Sequence, residues 1–372
     1  MESILIKNGA LLTNGKFYPG VDVLIDDKKI LKLGTSLDCR EDIKTIDASD
    51  KFVSPGFIDL QVNGGGHIFF TNNITRDKVL QIYKAHQKCG TLYMLPTLIT
   101  ADLQQMIMAI ESVKRAMMEE EGILGLHLEG PWLNPLTPGA HDQSQIRRPD
   151  DEEIETILRI GEGVIKKITI APERFKDYQI NKLLDAGLIV SAGHSNASFE
   201  EATGFFNKGV TCVTHLFNAM SPFAGKTPGL QGAALLSDVY AGIIADGFHV
   251  HSGAIMMAYR LKAEKLFLVS DASFTDVSDL EKVYIGNREV QIMNGKIYTA
   301  EGNLAGSSIT LSEAVKNCFL RVGISPAEAV RMATLSPAKL LGLQEKIGQI
   351  KEGNSSRLNI LDQDLGLIST IN

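Results

Sequence analysis

Four residues that can bind a metal ion or carry a proton each follow a short apolar segment. Glu129 lies in HLEGP, His194 in SAGHS, His215 in THLFNAM and Asp271 in VSDAS. Two imidazoles and a carboxylate bind zinc and similar divalent ions and leave a position for water, whose pKa the ion lowers to ~7. We therefore predict that Glu129, His194 and His215 hold a divalent ion. Asp271 could then accept the proton of the water.

Other roles are open to each histidine taken alone. A single histidine at a strand end is more often a hydrogen-bonded structural residue, whereas an unpaired buried glutamate is costly and therefore rarer. His127 lies between two leucines, which favours packing over metal binding. His249 and His251 have the spacing of a metal-binding pair, but they follow a different strand from the predicted ligands. Only the joint occurrence at four strand ends favours a metal site.

The segments that carry these residues alternate with helical patterns, which is typical of βα units around a parallel sheet. We predict an α/β protein with a (β/α)8 TIM-type barrel, whose catalytic residues converge at the carboxyl ends of the strands. The predicted strands are 57–62, 92–98, 123–128, 168–171, 188–192, 212–216, 240–245 and 266–270. The predicted helices are 76–88, 103–120, 151–160, 177–186, 198–208, 253–262, 311–322 and 326–334.

Both ends of the chain have β patterns and are too small to be stable alone. A strand over 3–12 ends at the turn signal Asn14-Gly15, and short strands follow over 21–25, 30–33, 43–46 and 358–361. We predict a small β-sandwich domain built from 1–52 and 342–372, with the barrel domain over 53–341. A hairpin insert over 283–299, with a turn at Asn294-Gly295, interrupts the barrel pattern.

The composition is that of a globular protein, with 372 residues, 44% hydrophobic and 22% charged. A net charge of −7 argues against a general nucleic-acid binder. The cysteines, Cys39, Cys89, Cys212 and Cys318, are scattered, which predicts reduced thiols. The N-terminus lacks a signal-peptide pattern and no apolar run is long enough to span a membrane. We therefore expect a cytoplasmic protein that binds no membrane.

Seven motifs occur in an order that resembles a known enzyme family: PGFIDLQVNG, GLHLEGPWLNP followed by GAH, SAGHS, THLFNAM, ADGFHV, VSDA and LAGSS. Together they resemble the N-acetylglucosamine-6-phosphate deacetylases of the amidohydrolase superfamily, over essentially the whole chain. The resemblance implies a metal-dependent barrel with a small β-sandwich. The implied reaction hydrolyses the acetamide of N-acetyl-D-glucosamine 6-phosphate and releases acetate.

The resemblance also implies roles for individual residues. Glu129, His194 and His215 resemble the ligands of one divalent ion, zinc first, with iron, cobalt or manganese as alternatives. Asp271 resembles the general base that later acts as an acid, and His141 resembles the residue that polarises the acetyl carbonyl. The implied sugar-phosphate contacts are Ala140, Asn218, Ala219, Leu304, Ala305 and Gly306. His249 resembles a histidine that reaches the phosphate in a neighbouring subunit's site, which implies a homodimer.

Two positions depart from the patterns of relatives. Gln61 and Asn63 stand where many amidohydrolases carry a metal-binding HxH pair, which implies one metal ion and leaves these amides as first-strand or second-site contacts. Lys226 stands where many relatives carry the phosphate-binding arginine. It can still bind a phosphate as a point charge, but lysine lacks the two-pronged guanidinium. The alternatives are therefore a non-phosphorylated or different N-acetylhexosamine, another amidohydrolase reaction, and a barrel without catalysis.

Overall fold

An eight-stranded parallel sheet forms the centre of the molecule. The computed structural model describes residues 3–38, 43–71, 74–277, 280–285, 288–293, 296–299, 302 and 304–372. The strands, in sheet order, are Phe57–Val62, Thr91–Ile99, Leu126–Glu129, Ile165–Ile170, Ile189–Ala192, Cys212–Val213, Tyr240–Ile243 and Leu266–Leu268. A parallel bridge between Val62 and Ala272 closes the sheet, so the predicted (β/α)8 barrel is confirmed.

Helices connect the strands and pack apolar side chains against the barrel. The helix Leu103–Met117, for example, begins at a capping box between Asp102 and Gln105 and buries Met106, Ile110 and Val113. The other helices are Arg76–Gln87, Asp151–Ile160, Asp177–Asp185, Phe199–Asn207, Gly229–Leu236, Ser252–Lys262, Leu311–Asn317, Pro326–Met332 and Leu335–Leu340. Short 3₁₀ turns span Pro172–Arg174 and Ala263–Lys265, and a π-helical turn spans Cys318–Val322.

Several elements differ from their predicted form. The sixth barrel strand is only Cys212–Val213, because the backbone leaves the strand at His215, where φ is 31°. The helix Gly229–Leu236 was not predicted, since its glycines and uniform apolar burial give no amphipathic period. The predicted strand over 3–12 is two strands, Ile4–Lys7 and Ala10–Thr13, separated by Asn8 with φ of 62°.

Two further sheets are built from the ends of the chain. One has the order Lys29–Gly34, Asp22–Asp26, Ile4–Lys7 and Lys44–Asp47. The other has the order Leu367–Ile371, Leu358–Leu361, Phe52–Pro55, Ala10–Thr13 and Lys16–Tyr18. Their buried side chains, including Ile6 and Val23 of the first sheet and Val53 and Leu358 of the second, form one apolar cluster. The division of the chain at 52 and 342 stays a prediction.

The insert after the eighth barrel strand forms an antiparallel sheet of Lys282–Ile285, Arg288–Met293 and Lys296–Tyr298. Its buried residues pack on Phe69 and Phe274, so the insert covers part of the carboxyl face of the barrel. The predicted turn at Asn294-Gly295 and the residue Cys39 lie outside the described residues. Within the described ranges, Cys89, Cys212 and Cys318 are free thiols. None of the described helices combines the length and the apolar character that a membrane crossing needs.

Candidate active site

The predicted metal ligands meet at the carboxyl face of the barrel. His215 Nε2 lies 3.1 Å and His194 Nε2 lies 3.4 Å from Glu129 Oε1. The two imidazole nitrogens are 3.0 Å apart, and all three side chains are buried. His141 is close as well, with its Nε2 4.0 Å from Glu129 Oε2. The third, fifth and sixth barrel strands therefore supply one compact group of nitrogen and oxygen donors.

The donor set fits a divalent metal ion. His194 Nδ1 contacts the carbonyl oxygen of Thr137 at 3.0 Å, and because a carbonyl only accepts, Nδ1 carries the proton. The lone pair of His194 Nε2 is therefore free to bind a metal ion. An outer hydrogen bond that fixes the ring in this way is typical of metal-binding histidines. Glu129, His141 and His194 also offer ligand atoms within 4.8 Å of one another.

The pKa values of Glu129 and His215 are both shifted within the cluster. Burial raises the pKa of Glu129, but the contacts with His194 and His215 outweigh it and hold that pKa well below its usual range. Burial lowers the pKa of His215, but the contact with Glu129 reverses the direction and raises it. Glu129 is therefore ionised, which suits a carboxylate ligand.

Asp271 lies beside this cluster and is held by two amides. Gln61 Nε2 donates to Asp271 Oδ1 at 3.0 Å and to Glu129 Oε1 at 2.9 Å, and Asn63 Nδ2 donates to Asp271 Oδ1 at 2.7 Å. Burial, followed by the charge of Glu129, raises the pKa of Asp271. A buried carboxylate with a raised pKa can take a proton and return it, as a general base and acid must.

His141 is a neutral imidazole with a defined tautomer. Burial, followed by the proximity of His194, lowers its pKa to about 3. Its Nδ1 accepts from the backbone N–H of Thr100 at 3.3 Å and contacts Thr100 Oγ1 at 2.6 Å. Because an amide N–H only donates, the proton of His141 is on Nε2, the atom that faces the cluster. His141 can therefore donate a hydrogen bond to an oxygen near Glu129.

A cavity of about 360 Å³ opens over the cluster. Its size suits a small organic molecule. The wall includes thirteen of the predicted site residues: Asn63, Glu129, Ala140, His141, His194, His215, Asn218, Ala219, His249, Asp271, Leu304, Ala305 and Gly306.

Comparison with known proteins shows the family to which the chain belongs. Residues 52–372 match the model of the amidohydrolase family. The chain belongs to the amidohydrolase family. It is 35% identical, over 97% of each chain, to an N-acetylglucosamine-6-phosphate deacetylase of Haemophilus influenzae. It is also 35% identical to an N-acetylgalactosamine-6-phosphate deacetylase of a Shewanella species, over 98% of this chain and 93% of that protein.

A solved structure gives the same fold. The N-acetylglucosamine-6-phosphate deacetylase from Pasteurella multocida has a TM-score of 0.96 and 34% sequence identity, and the match covers 99% of this chain and 98% of that one. The match to this solved structure therefore includes the barrel, the terminal sheets and the site residues of this amidohydrolase.

The structure of one chain shows the positions of two predicted phosphate contacts of this amidohydrolase, Lys226 and His249. Lys226 is exposed on a tight turn, where Ala224 and Thr227 exchange backbone hydrogen bonds of 3.1 and 3.0 Å, and it is not part of the cavity wall. His249 lines the cavity of its own chain. The homodimer, with His249 shared across it, stays a prediction.

Other residues have structural roles. His127 is buried beneath the site, between Thr97 Oγ1 at 3.2 Å and Thr169 Oγ1 at 2.7 Å, and does not line the cavity. The ring of His251 caps the helix Ser252–Lys262 by accepting from the Gly253 amide at 3.1 Å. The predicted preference for packing at His127, and against metal binding at His251, agrees with these contacts.

Some residues of the site were not predicted. Thr100 directs the His141 ring, and its only sequence signal is its place just after the second barrel strand. Phe248 and Ile285 contribute apolar wall, Phe248 beside His249 and Ile285 from the insert. Their apolar side chains carry no chemical signature in a sequence. The lid that the insert forms over the cavity can be found only from the fold.

Proposed function

We propose that this amidohydrolase hydrolyses the acetamide of N-acetyl-D-glucosamine 6-phosphate to D-glucosamine 6-phosphate and acetate. The observation that carries the proposal is the buried Glu129–His194–His215 cluster beside Asp271, at the floor of a cavity of sugar size. Relatives at 35% identity that carry this activity in their names support the substrate class.

One divalent ion belongs to this proposal, with Glu129, His194 and His215 as its ligands. Zinc is the first choice for two imidazoles and a carboxylate, and iron, cobalt or manganese accept the same donors. Such an ion supplies a Lewis acid for the acetyl carbonyl and lowers the pKa of a water to ~7.

Asp271 performs the proton transfers. Both amide contacts are to its Oδ1, and no residue in the described ranges donates to Oδ2. Oδ2 takes the proton of the attacking water, and the raised pKa of the carboxyl keeps that proton long enough to return it. The same proton then goes to the sugar nitrogen as the C–N bond breaks, so Asp271 ends the turnover ionised.

His141 stabilises the charge that develops on the acetyl oxygen. Its Nε2–H is a neutral donor fixed by Thr100, so it needs no reorganisation during the reaction. Removing one such donor typically costs ~10²–10³-fold in kcat.

The first test is acetate release by metal-replete protein from N-acetylglucosamine 6-phosphate and from N-acetylglucosamine. We expect a large preference for the phosphorylated sugar. Asp271→Asn should abolish nearly all turnover while the metal content is kept. Full activity of that variant would refute the assigned base, and no acetate from either sugar would refute the proposed reaction.

A second candidate substrate is N-acetylgalactosamine 6-phosphate. The relative named for that substrate is as similar, at 35% identity, as the relative named for the glucosamine sugar. The two sugars differ only at C4, far from the amide that reacts. Comparing kcat/KM for the two phosphorylated sugars decides between them.

A further inference from the structure

Asp271, the proposed base, has a backbone conformation that its neighbours must hold in place. Its φ is 51°, in the left-handed region that residues with a Cβ atom rarely adopt. Such a conformation persists only where the surrounding contacts fix it. Because the Cα–Cβ bond turns with the backbone, the same contacts decide whether the carboxylate reaches the amides of Gln61 and Asn63.

The end of the first barrel strand holds one edge of this backbone. The Asp271 amide donates to the carbonyl oxygen of Gln61 at 3.0 Å, and Val62 and Ala272 form a parallel bridge. These contacts join main-chain atoms, so many side chains at these positions would permit them. They place Asp271 beside the first strand in the register of the barrel.

Ser307 holds the other edge, and here a side chain takes part. Ser307 Oγ donates to the carbonyl oxygen of Ser270 at 2.6 Å, and the Ser307 amide donates to the carbonyl oxygen of Asp271 at 3.0 Å. The Ser273 amide in turn donates to the carbonyl oxygen of Ser307 at 2.9 Å. Ser307 is buried. It therefore holds both of the peptide groups that flank the Cα atom of Asp271.

Ser307 directly follows the segment Leu304–Gly306, which lines the cavity over the cluster. The Ala305 amide donates to the carbonyl oxygen of Ile297 at 3.0 Å, so this segment is also bonded to the insert. The chain that ends in Ser307 is thus anchored on the insert at one point and on the backbone of Asp271 at the next. This double anchor gives Ser307 a fixed position from which to orient the base.

We propose that Ser307 is a positioning residue that orients Asp271 for proton transfer. The inference rests on the proposed function, because it needs Asp271 to be the base. With the Ser307 hydroxyl in place, Oδ1 of Asp271 accepts from the two amides and Oδ2 is left for the attacking water. Without the hydroxyl, the carbonyl oxygen of Ser270 loses this donor. The backbone at Asp271 then relaxes toward an ordinary φ, which turns the carboxylate away from the cluster.

The test uses the metal-replete full chain and the variants Ser307→Ala and Ser307→Thr. Ser336→Ala is the matched control, because the buried Ser336 Oγ donates to the carbonyl oxygen of Glu264 at 2.8 Å, just before the eighth barrel strand begins. It removes a similar hydrogen bond at the far end of the same strand.

We expect Ser307→Ala to lower kcat about 10- to 100-fold, because a displacement of ~1 Å at the reacting groups can cost ~10²-fold. KM and metal content should stay within about twofold of the wild type, since the hydroxyl donates to Ser270 and not to a ligand of the ion. Ser307→Thr keeps the hydroxyl and should keep most of kcat. Ser336→Ala should lower only the free energy of unfolding.

A crystal structure of Ser307→Ala supplies a readout that needs no turnover. We expect Asp271 to leave its φ of 51° and its carboxylate to lose at least one of the two amide contacts. An unchanged Asp271 in that structure, or an unchanged kcat, would overturn the proposal. A Ser307→Thr variant as slow as Ser307→Ala would overturn it too, because the hydroxyl would then not be the group that matters. A wild type inactive on both sugars contradicts the proposed function instead, and the crystal structure still decides whether Ser307 holds Asp271.

Discussion

Gln61 and Asn63 form a matched pair for substitution, because their amides contact different carboxylates. Gln61 Nε2 donates to both Glu129 and Asp271, at 2.9 and 3.0 Å. Asn63 Nδ2 donates at 2.7 Å to Asp271 and to no other group in the described residues. A hydrogen bond to a charged group contributes ~1.5–3 kcal/mol. Gln61→Leu should therefore destabilise the ionised forms of both carboxylates, and Asn63→Leu only that of Asp271.

The effect on Asp271 is measured in the pH dependence of kcat/KM. Burial and the charge of Glu129 already raise its pKa. Losing an amide donor raises the pKa further, since the ionised form loses a hydrogen bond. The base must be ionised to act, so the acid limb of the profile should move to higher pH in both variants. At a pH on that limb, ~1.5–3 kcal/mol corresponds to about 10- to 160-fold lower activity.

The affinity for the metal ion distinguishes the two variants. Glu129 loses a hydrogen bond only in Gln61→Leu, so only that variant should bind its metal ion more weakly in a titration against a chelator. An acid limb that stays in place in both variants would contradict Asp271 as the base. Equal metal affinity in the two variants would show that the Gln61 contact does not support Glu129.

Three further predictions concern other residues. Burial raises the pKa of Asp59 to about 7 from an ordinary value of 3.8, so its favourable contribution to folding is complete below pH 3.8 and is lost as the pH rises through about 7. We therefore expect the free energy of unfolding of Asp59→Asn to rise relative to that of the wild type, by at most ~4 kcal/mol, when urea unfolding is compared at pH 5 and pH 8. A difference between the two proteins that does not change with pH would contradict a raised pKa of Asp59 in the folded protein. His251→Ala should lower the unfolding free energy by ~0.5–2 kcal/mol through its lost helix cap, with metal content unchanged; a loss of metal would restore His251 as a ligand. His141→Ala should lower kcat ~10²–10³-fold at unchanged metal content, and a change confined to KM would argue against oxyanion stabilisation.

The barrel and the cluster could be predicted because each depends on a local pattern. Apolar segments that alternate with helical periods predict a parallel sheet. A barrel brings the carboxyl ends of its strands together, whatever the conformation of its loops. Glu129, His194 and His215 therefore had to converge once they ended the third, fifth and sixth strands. The boundary of the sixth strand was wrong by three residues, because His215 adopts a left-handed backbone that a propensity pattern does not reveal.

Contacts between distant loops could not be predicted. Thr100 and His141 are 41 residues apart, and no periodicity relates them. Gln61 stood at the correct strand end, but only the structure shows that one amide serves two carboxylates. Lys226 was assigned from its place in a motif, and a motif does not say whether a turn faces the cavity or solvent.

The strand Phe52–Pro55 pairs on one side with Ala10–Thr13 and on the other with Leu358–Leu361. About three hundred residues of barrel are therefore synthesised between one neighbour of this strand and the other. During translation the strand is a temporary sheet edge, and such edges favour association with other chains. The late arrival of Leu358–Leu361 completes the sheet, so a ribosome-bound chain that stops inside the barrel keeps this edge open. We therefore expect the terminal sheets to become protease-resistant only after Leu358–Leu361 has left the ribosome.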